Sequence, residues 1–266
     1  MKRLIKRLFT NYKIAKLGQN FFESFKVFIY FSLLPFIKKD AGPFKLIFNG
    51  VKFSLKFHGK HEEYFLIKEI FVDQEYKIDI SSDRVHKIID LGSNIGYSAI
   101  YFSCCFPEAS IYAVEPSKDT FSRLQENTLA IKNIEILNFA VSDRDGEMIF
   151  FENKDRNISS SVYNRGEEFQ KVVVNSITFQ SLLKKLGISR IDILKFDIEG
   201  GEQFLSEQDI CSVDGILVGE LHADLMGEEK TLKLLNIMEN NFSVEKESLN
   251  KNKRYVIRAK RITTKG

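Results

Sequence analysis

Ile88-Ile89-Asp90-Leu91-Gly92-Ser93-Asn94-Ile95-Gly96 is the stretch whose conformation decides how this chain folds. A short apolar run ends in a turn cornered by two glycines, which permit a tight bend and a close backbone approach. Beyond it, short apolar runs alternate with segments of helix length. The runs are Val85–Leu91, Ile111–Val114, Ile134–Val141, Val172–Val174, Ile191–Phe196 and Val213–Leu221, with helices predicted near 95–105, 117–130, 177–186, 201–209 and 227–240. This alternation predicts an α/β, Rossmann-like fold: a mainly parallel sheet with helices on both faces. Phe242–Val244 and Arg254–Ala259 are expected to close one edge as an antiparallel pair. The polar stretch Glu152–Gln170 interrupts the rhythm and has the length of a functional lid or mobile loop.

Upstream of residue 85 the pattern changes. Phe44–Phe57 alternates apolar and polar residues on either side of Asn49-Gly50, the strongest short signal for a β-hairpin, and residues 61–72 predict a helix carrying Tyr64, Ile67 and Phe71. Residues 1–40 hold nine basic side chains (Lys2, Arg3, Lys6, Arg7, Lys13, Lys16, Lys26, Lys38, Lys39) against Glu23 and Asp40. Leu4, Ile5, Leu8, Phe9 and Tyr12 recur there at helical spacing, as in a basic amphipathic helix. The uninterrupted apolar part that follows, Val27 to Ile37, has 11 residues, against about 20 for a membrane-spanning helix. Such a leader suits an anionic membrane face, and equally suits docking on the body or a homodimer contact. Three segments result: a helical leader over 1–40, a hairpin-and-helix extension over 41–84, and a main domain over 85–266.

Composition narrows the function. With 44% hydrophobic and 28% charged residues, the 266-residue chain is neither disordered nor a polytopic membrane protein. The net charge of +3 comes from the leader; the remainder is mildly acidic and offers nucleic acid no electrostatic partner. Cys104, Cys105 and Cys211 provide neither a disulfide framework nor zinc-ligand spacing. A cytoplasmic location is expected, with the leader peripheral on the inner membrane face if it binds lipid.

In an open α/β sheet, ligands bind beyond the carboxyl ends of the strands. The G-x-x-x-G spacing of Gly92 and Gly96 misses the dinucleotide pattern, and Asp90 would repel a pyrophosphate at the helix terminus. A ligand bearing an ammonium and a sulfonium gains from that carboxylate. Glu115, 23 residues after Gly92 at the end of the second strand, suits both hydroxyls of a ribose. Asn138 to Asp143 would edge an adenine.

The motifs Ile88-Ile-Asp-Leu-Gly-Ser-Asn-Ile-Gly-Tyr97, Val114-Glu-Pro116, Ala140-Val-Ser-Asp-Arg-Asp-Gly146, Ile191-Asp-Ile-Leu-Lys-Phe-Asp-Ile-Glu-Gly-Gly-Glu202 and Glu220-Leu-His222 together resemble the FkbM family of S-adenosylmethionine (SAM)-dependent methyltransferases, within the class I fold. The likeness runs from about Lys87 to about His222. Ser93 and Gly201 stand where the family commonly has alanine. The resemblance implies methyl transfer from SAM to an oxygen, often a hydroxyl of a sugar or a related metabolite, so a small-molecule or glycan acceptor is expected. The cofactor residues are then expected to be Asp90, Gly92, Ser93, Asn94, Gly96, Tyr97, Glu115, Asn138, Ala140, Asp143 and Asp197.

A hydroxyl acceptor needs a base. Lys195, Asp197, Glu199 and Glu202 follow one strand, and Glu220 and His222 end its neighbour two residues apart, on the same face. His222 is the natural proton acceptor, with Glu220 or Glu199 as its orienting partner and Glu202 free to bind acceptor hydroxyls. Lys195 is grouped with this catalytic set. The chain is read as metal-free, with Asp197, Glu199, Glu220 and His222 as the oxygen-rich set that would suit Mg²⁺ or Mn²⁺. Two alternatives stay open: an NAD(P)-dependent oxidoreductase, and a membrane-associated scaffold that keeps the fold without the chemistry.

Overall fold

The computed structural model describes residues 2–36, 39–153, 160–249 and 254–262. Helices α1 (Lys2–Ala15) and α2 (Phe21–Leu33) pack together ahead of the hairpin strands β1 (Ala41–Phe48) and β2 (Val51–Phe57). Asn20 caps α2 by accepting the Glu23 N–H at 3.0 Å, satisfying a donor that the first helical turn leaves free. Asn49 and Gly50 both take positive φ, 48° and 80°, which a two-residue hairpin turn of the favoured twist requires. The predicted helix over 61–72 is α3 (His61–Ile67) running into a π-helical turn at Lys68–Val72.

Burial shows that the apolar face of the first helix does not dock on the body. Leu4, Ile5, Leu8, Phe9 and Tyr12, the apolar set read from its spacing, are all exposed, while Ile14, Ala15 and Leu17 at its end are buried. One hydrophobic cluster joins Ile14, Val27 and Phe31 of the leader, Leu46, Leu55 and Phe57 of the hairpin, Ile67 of α3, and Ile88, Phe102 and Ile111 of the main domain.

The main domain follows the predicted alternation. In chain order come β3 (Lys87–Leu91), α4 (Tyr97–Cys105), β4 (Ser110–Val114), α5 (Lys118–Thr128), β5 (Ile134–Leu137), β6 (Ala140–Val141), β7 (Gly146–Asn153), β8 (Ser160–Ser161), β9 (Phe169–Ile177), α6 (Phe179–Leu186), β10 (Ile191–Phe196), α7 (Glu207–Cys211), β11 (Val213–His222), α8 (Ala223–Met226), α9 (Glu228–Asn241), β12 (Phe242–Ser248) and β13 (Arg254–Arg261). The principal sheet has the order β12-β13-β11-β10-β3-β4-β5. The strands from β11 to β5 pair in parallel, and β13 runs antiparallel to both β11 and β12. Successive side chains feed opposite faces: Ile88 and Ile193 join one core cluster, Ile89 and Leu194 the other. Strands covered on both sides read as the continuous apolar runs seen in the sequence. Strand order reverses between β3 and β10, and such a switch point opens a crevice at the carboxyl ends.

Three local predictions need correction. Val172–Val174 lies in β9, which belongs to a separate four-stranded sheet of order β6-β9-β7-β8 and pairs antiparallel with β7, Phe150 opposite Val172. The run Ile134–Val141 divides at Asn138 between the two sheets. The helix expected over 201–209 breaks into a 3₁₀ turn at Gly201–Phe204 and α7, which Ser206 and Asp209 start afresh with a reciprocal capping box, as satisfied helix-start donors demand. Of the polar stretch at 152–170, residues 154–159 lie outside the described residues; its two ends are strands of the second sheet.

A buried charge cluster ties the extension to the main domain. Glu63 of α3 is 1% exposed and accepts the His58 N–H at 2.8 Å while pairing with Arg123 of α5. Removing one partner of such a pair leaves an uncompensated buried charge, a loss of about 3 kcal/mol or more. Arg123→Ala is therefore expected to lower the urea midpoint by that equivalent. A midpoint equal to wild type would show that this pair does not anchor the extension.

Candidate active site

The floor of the crevice is built by the quoted turn. Gly92 has φ 73°, and a Cβ placed on it would lie 1.9 Å from the Asp197 carbonyl oxygen, so only glycine fits. The Gly92 and Ser93 N–H groups both donate to the Val114 carbonyl at 3.0 Å, and the Ser93 hydroxyl donates to the Asp90 carbonyl at 2.7 Å. Beneath the turn, Asp90 and Lys195 form a fully buried ion pair at 3.0 Å. The second Asp90 oxygen accepts the Ser98 hydroxyl at 2.6 Å, and the Lys195 ammonium also donates to the Gly92 carbonyl at 2.7 Å.

Two assignments change as a result. Asp90, expected to face a cationic ligand, spends its charge on Lys195. Lys195, grouped with the catalytic residues, is a brace under the glycine turn. Ser93, Gly96 and Tyr97 also stay behind the wall: Gly96 turns the chain into α4 at φ 91°, and the buried Tyr97 ring meets Phe57 edge-on at 6.4 Å.

Gly92, Asn94, Glu115, Ala140 and Asp197 of the predicted set line the crevice itself, a concave wall of apolar side chains with a few polar groups that suits a small-molecule ligand. Glu115 is held by two backbone donors, the Asn94 and Ser117 N–H groups, both at 3.0 Å. Burial pushes its carboxyl up to about 7, against those hydrogen bonds. Each oxygen keeps a further lone pair, a geometry that fits the two hydroxyls of a ribose. Asn138 donates to the Glu115 and Pro116 carbonyls at 2.8 and 3.0 Å and so shapes the turn from behind. Asp143 is exposed and accepts the Ser142 hydroxyl at 3.1 Å; it does not edge the crevice. Phe139, Val141, Phe150 and Val162 line that side instead, an apolar wall suited to a flat base. Phe150 comes from β7 of the second sheet, and Val162 directly follows β8. The signal for Phe150 in the sequence is the pair of apolar runs Met148-Ile-Phe150 and Val172-Val-Val174 on either side of the polar stretch, which suits two paired strands.

Beside the cofactor crevice, the ends of β10 and β11 bring the predicted acids together around His222. Its Nε2 faces Glu199 at 3.5 Å, Glu220 at 3.6 Å and Asp197 at 3.8 Å and has no hydrogen-bond partner. The partner of Nδ1 is Glu202, at 2.8 Å, in place of the expected Glu220 or Glu199. Glu202 is fully buried and also accepts the Ile198 and Gly200 N–H groups at 3.2 and 2.9 Å, so it orients the imidazole and cannot reach an acceptor. The turn that folds it back passes through Glu199 and Gly200, both at positive φ.

Sequence reading missed four contributors to this rim. Tyr76 donates to Asp197 at 3.3 Å, and Glu75 hydrogen-bonds Glu220; both come from the extension. Arg165 and Arg254 flank Glu199 at 2.8 and 3.6 Å. None carries a local signal, because each reaches the site only through the fold. Crowded carboxylates resist ionising: burial, then Asp197, push Glu220 up to about 9, and burial raises Glu199 and Glu75 as well. Burial alone would lower His222, but Glu202, Glu199 and Asp197 carry it up to about 10. Asp197, Glu220 and His222 each offer one ligand atom, all within 4.8 Å of one another.

The raised Glu115 carboxyl is expected to make adenosyl-ligand binding pH-dependent. A carboxylate accepts two ribose hydroxyls and a carboxylic acid does so less well, so affinity for S-adenosylhomocysteine is expected to fall as pH drops below about 7, by up to about tenfold per unit. Calorimetric titration between pH 5 and pH 8 checks this, with Glu115→Gln expected to flatten the profile. An equally steep profile for the variant would assign the dependence to another group.

Known proteins resemble the chain over its main domain. A methyltransferase of Sordaria araneosa, sdnD, is 29% identical over 176 residues, covering 54% of this chain and 67% of that protein. The hexuronic acid methyltransferase AglP of Haloferax volcanii is 28% identical over 172 residues, 63% of this chain and 68% of its own length. The 2-O-methyltransferase NoeI of Sinorhizobium fredii is 25% identical over 130 residues, 43% of this chain and 54% of that one. The family model described as the methyltransferase FkbM domain matches residues 90–247, which sets aside the oxidoreductase and scaffold alternatives. Because that match takes in more than half of the chain and every residue lining the crevice, the chain belongs to the FkbM family of SAM-dependent methyltransferases.

Proposed function

We propose that the chain methylates a hydroxyl of a sugar-like acceptor, with His222 as the proton acceptor held in place by Glu202. The observation that carries this is the unpartnered Nε2 of a buried histidine, aimed into a polar rim at the edge of the cofactor crevice. Hydroxyl-rich acceptors need several donors and acceptors in a small space, and Asp197, Glu199, Glu220, Arg165 and Arg254 supply them. The activities named for AglP and NoeI, on a hexuronic acid and at a 2-O position, point to the same acceptor class.

When bound, SAM supplies an electrophilic methyl group that leaves sulfur for the acceptor oxygen. Gly92 lets the backbone approach the ligand and Glu115 holds the ribose, so the chain's first contribution is alignment. Its second is proton removal. Asp197 and Glu199 hold the His222 proton while they are uncompensated; facing a bound cation, they hold it less firmly. With that proton released to solvent, Nε2 takes the acceptor proton as the O–H bond breaks and the new O–C bond forms, and Glu202 stabilises the resulting imidazolium.

Release of S-adenosylhomocysteine in the presence of hexuronic acid and neutral-sugar acceptors tests the proposal. His222→Ala is expected to lose about 10²–10⁴-fold in turnover with adenosyl-ligand affinity retained. Glu202→Gln keeps a hydrogen-bonding group but removes the charge, and is expected to lose less. Full turnover in His222→Ala would overturn the assignment of the base.

The same unpartnered Nε2 among carboxylates supports a second role for the rim, as a site for Mg²⁺ or Mn²⁺ on Asp197, Glu220 and His222. A carboxylate behind the other ring nitrogen is the arrangement that orients metal-bound histidines. Titration with Mn²⁺ separates the two roles: saturable binding abolished by His222→Ala, with turnover lost on chelation, favours the metal, and turnover indifferent to chelator favours the base.

A further inference from the structure

The leader presents an apolar surface that the rest of the chain does not cover. On α1 the exposed side chains Leu4, Ile5, Leu8, Phe9 and Tyr12 form one stripe at helical spacing. On α2, Phe21, Phe22, Phe25, Ile29 and Leu33 form another, with Phe21 77% and Phe22 73% exposed, and Phe36 beyond the helix is 85% exposed. The stripes meet: Tyr12 and Lys16 of the first helix region line a shared shallow groove with Phe21, Phe25 and Phe28 of α2. Isolated exposed apolar residues are ordinary, but a continuous aromatic patch of this kind marks an interaction surface.

Charge decides what covers it. Lys6, Lys13, Lys16 and Lys26 are exposed around the patch, and the ammonium groups of Lys13 and Lys16 each lie 5.0 Å over the rings of Phe9 and Tyr12, the placement of side chains that bury an apolar stem and keep a charged tip at a polar boundary. Glu23 is the sole acid of α1 and α2. It is 7% exposed and turned inward, pairing with Lys26 at 2.9 Å and accepting the Lys45 N–H at 3.2 Å. The surface is thus aromatic and cationic with no exposed acid. A second copy of the chain would set two such cationic faces against each other. No helix among the described residues is long and apolar enough to cross a membrane, so insertion is limited to lying in the interface.

We infer that the α1–α2 face docks on an anionic lipid bilayer, its aromatic stripes entering the headgroup boundary and its lysines pairing with lipid charge. This assignment is independent of the acceptor and of the role of His222.

Cosedimentation of the full chain with vesicles tests it, using phosphatidylcholine alone and phosphatidylcholine mixed three to one with phosphatidylglycerol. Wild type is expected to bind the anionic vesicles at least about tenfold more tightly. Phe21→Ser/Phe22→Ser/Phe25→Ser should weaken that binding about tenfold or more. Lys13→Glu/Lys16→Glu should remove the preference for anionic lipid. These residues are exposed and distant in sequence from the cofactor turn, so adenosyl-ligand affinity, unchanged, reports that the variants fold. Absence of wild-type binding to either vesicle would overturn the inference, as would equal binding to both. A solution dimer dissociated by the phenylalanine substitutions, with no vesicle binding, would assign the face to a second copy instead.

Discussion

Asp90 and Lys195 face each other as register partners across β3 and β10, the two strands between which the order of the sheet reverses. Both side chains are sealed from solvent, and ions placed there are tolerable only when paired and hydrogen-bonded. Their pairing sets the height of the glycine turn, since the same ammonium holds the Leu91 and Gly92 carbonyls at 3.2 and 2.7 Å. Gly92 in turn presses against the Asp197 backbone, so the cofactor turn and the acidic rim share one wall. The geometry of both halves of the site follows from this contact.

The rim is an electrostatic compromise. Asp197, Glu199 and Glu220 surround one imidazole nitrogen, and Glu75 adds a further carboxyl from outside the main domain. Arg165, Arg254 and the Tyr76 hydroxyl offset part of that charge. What remains favours a cation or a set of hydroxyl donors, and the sulfonium of the family's methyl donor is such a cation. The extension is therefore part of the site as well as part of the core: Tyr76 joins the same hydrophobic cluster as Ile67 and Phe102 while its hydroxyl reaches Asp197.

Membership of the FkbM family accounts for the crevice and leaves the leader unexplained, since the matched residues begin at 90. The leader's inner face is consumed by the hairpin; its outer face keeps the large aromatics. Their exposure is a property of this chain's own packing, and its meaning lies in the charge that surrounds them.

The order of strands and helices, the hairpin at Asn49-Gly50, the glycine turn and the acids at strand ends were all legible in the residues. Each depends on chain neighbours: periodicity, a positive φ, a carboxylate at the end of an apolar run. Gly92, Asn94, Glu115, Ala140 and Asp197, read from the sequence, likewise line the crevice. Tertiary structure alone decided the partners of the charged groups. Asp90 turned to Lys195, Glu202 folded back through Glu199 and Gly200 to claim His222, and Asp143 moved out to solvent while Phe150 from a second sheet and Val162 just after β8 took its side of the crevice. It also chose which face of α1 to bury. Local pattern specifies what a segment can form, but the partner of a charge and the covering of an apolar face are settled by whichever distant groups the fold brings within reach.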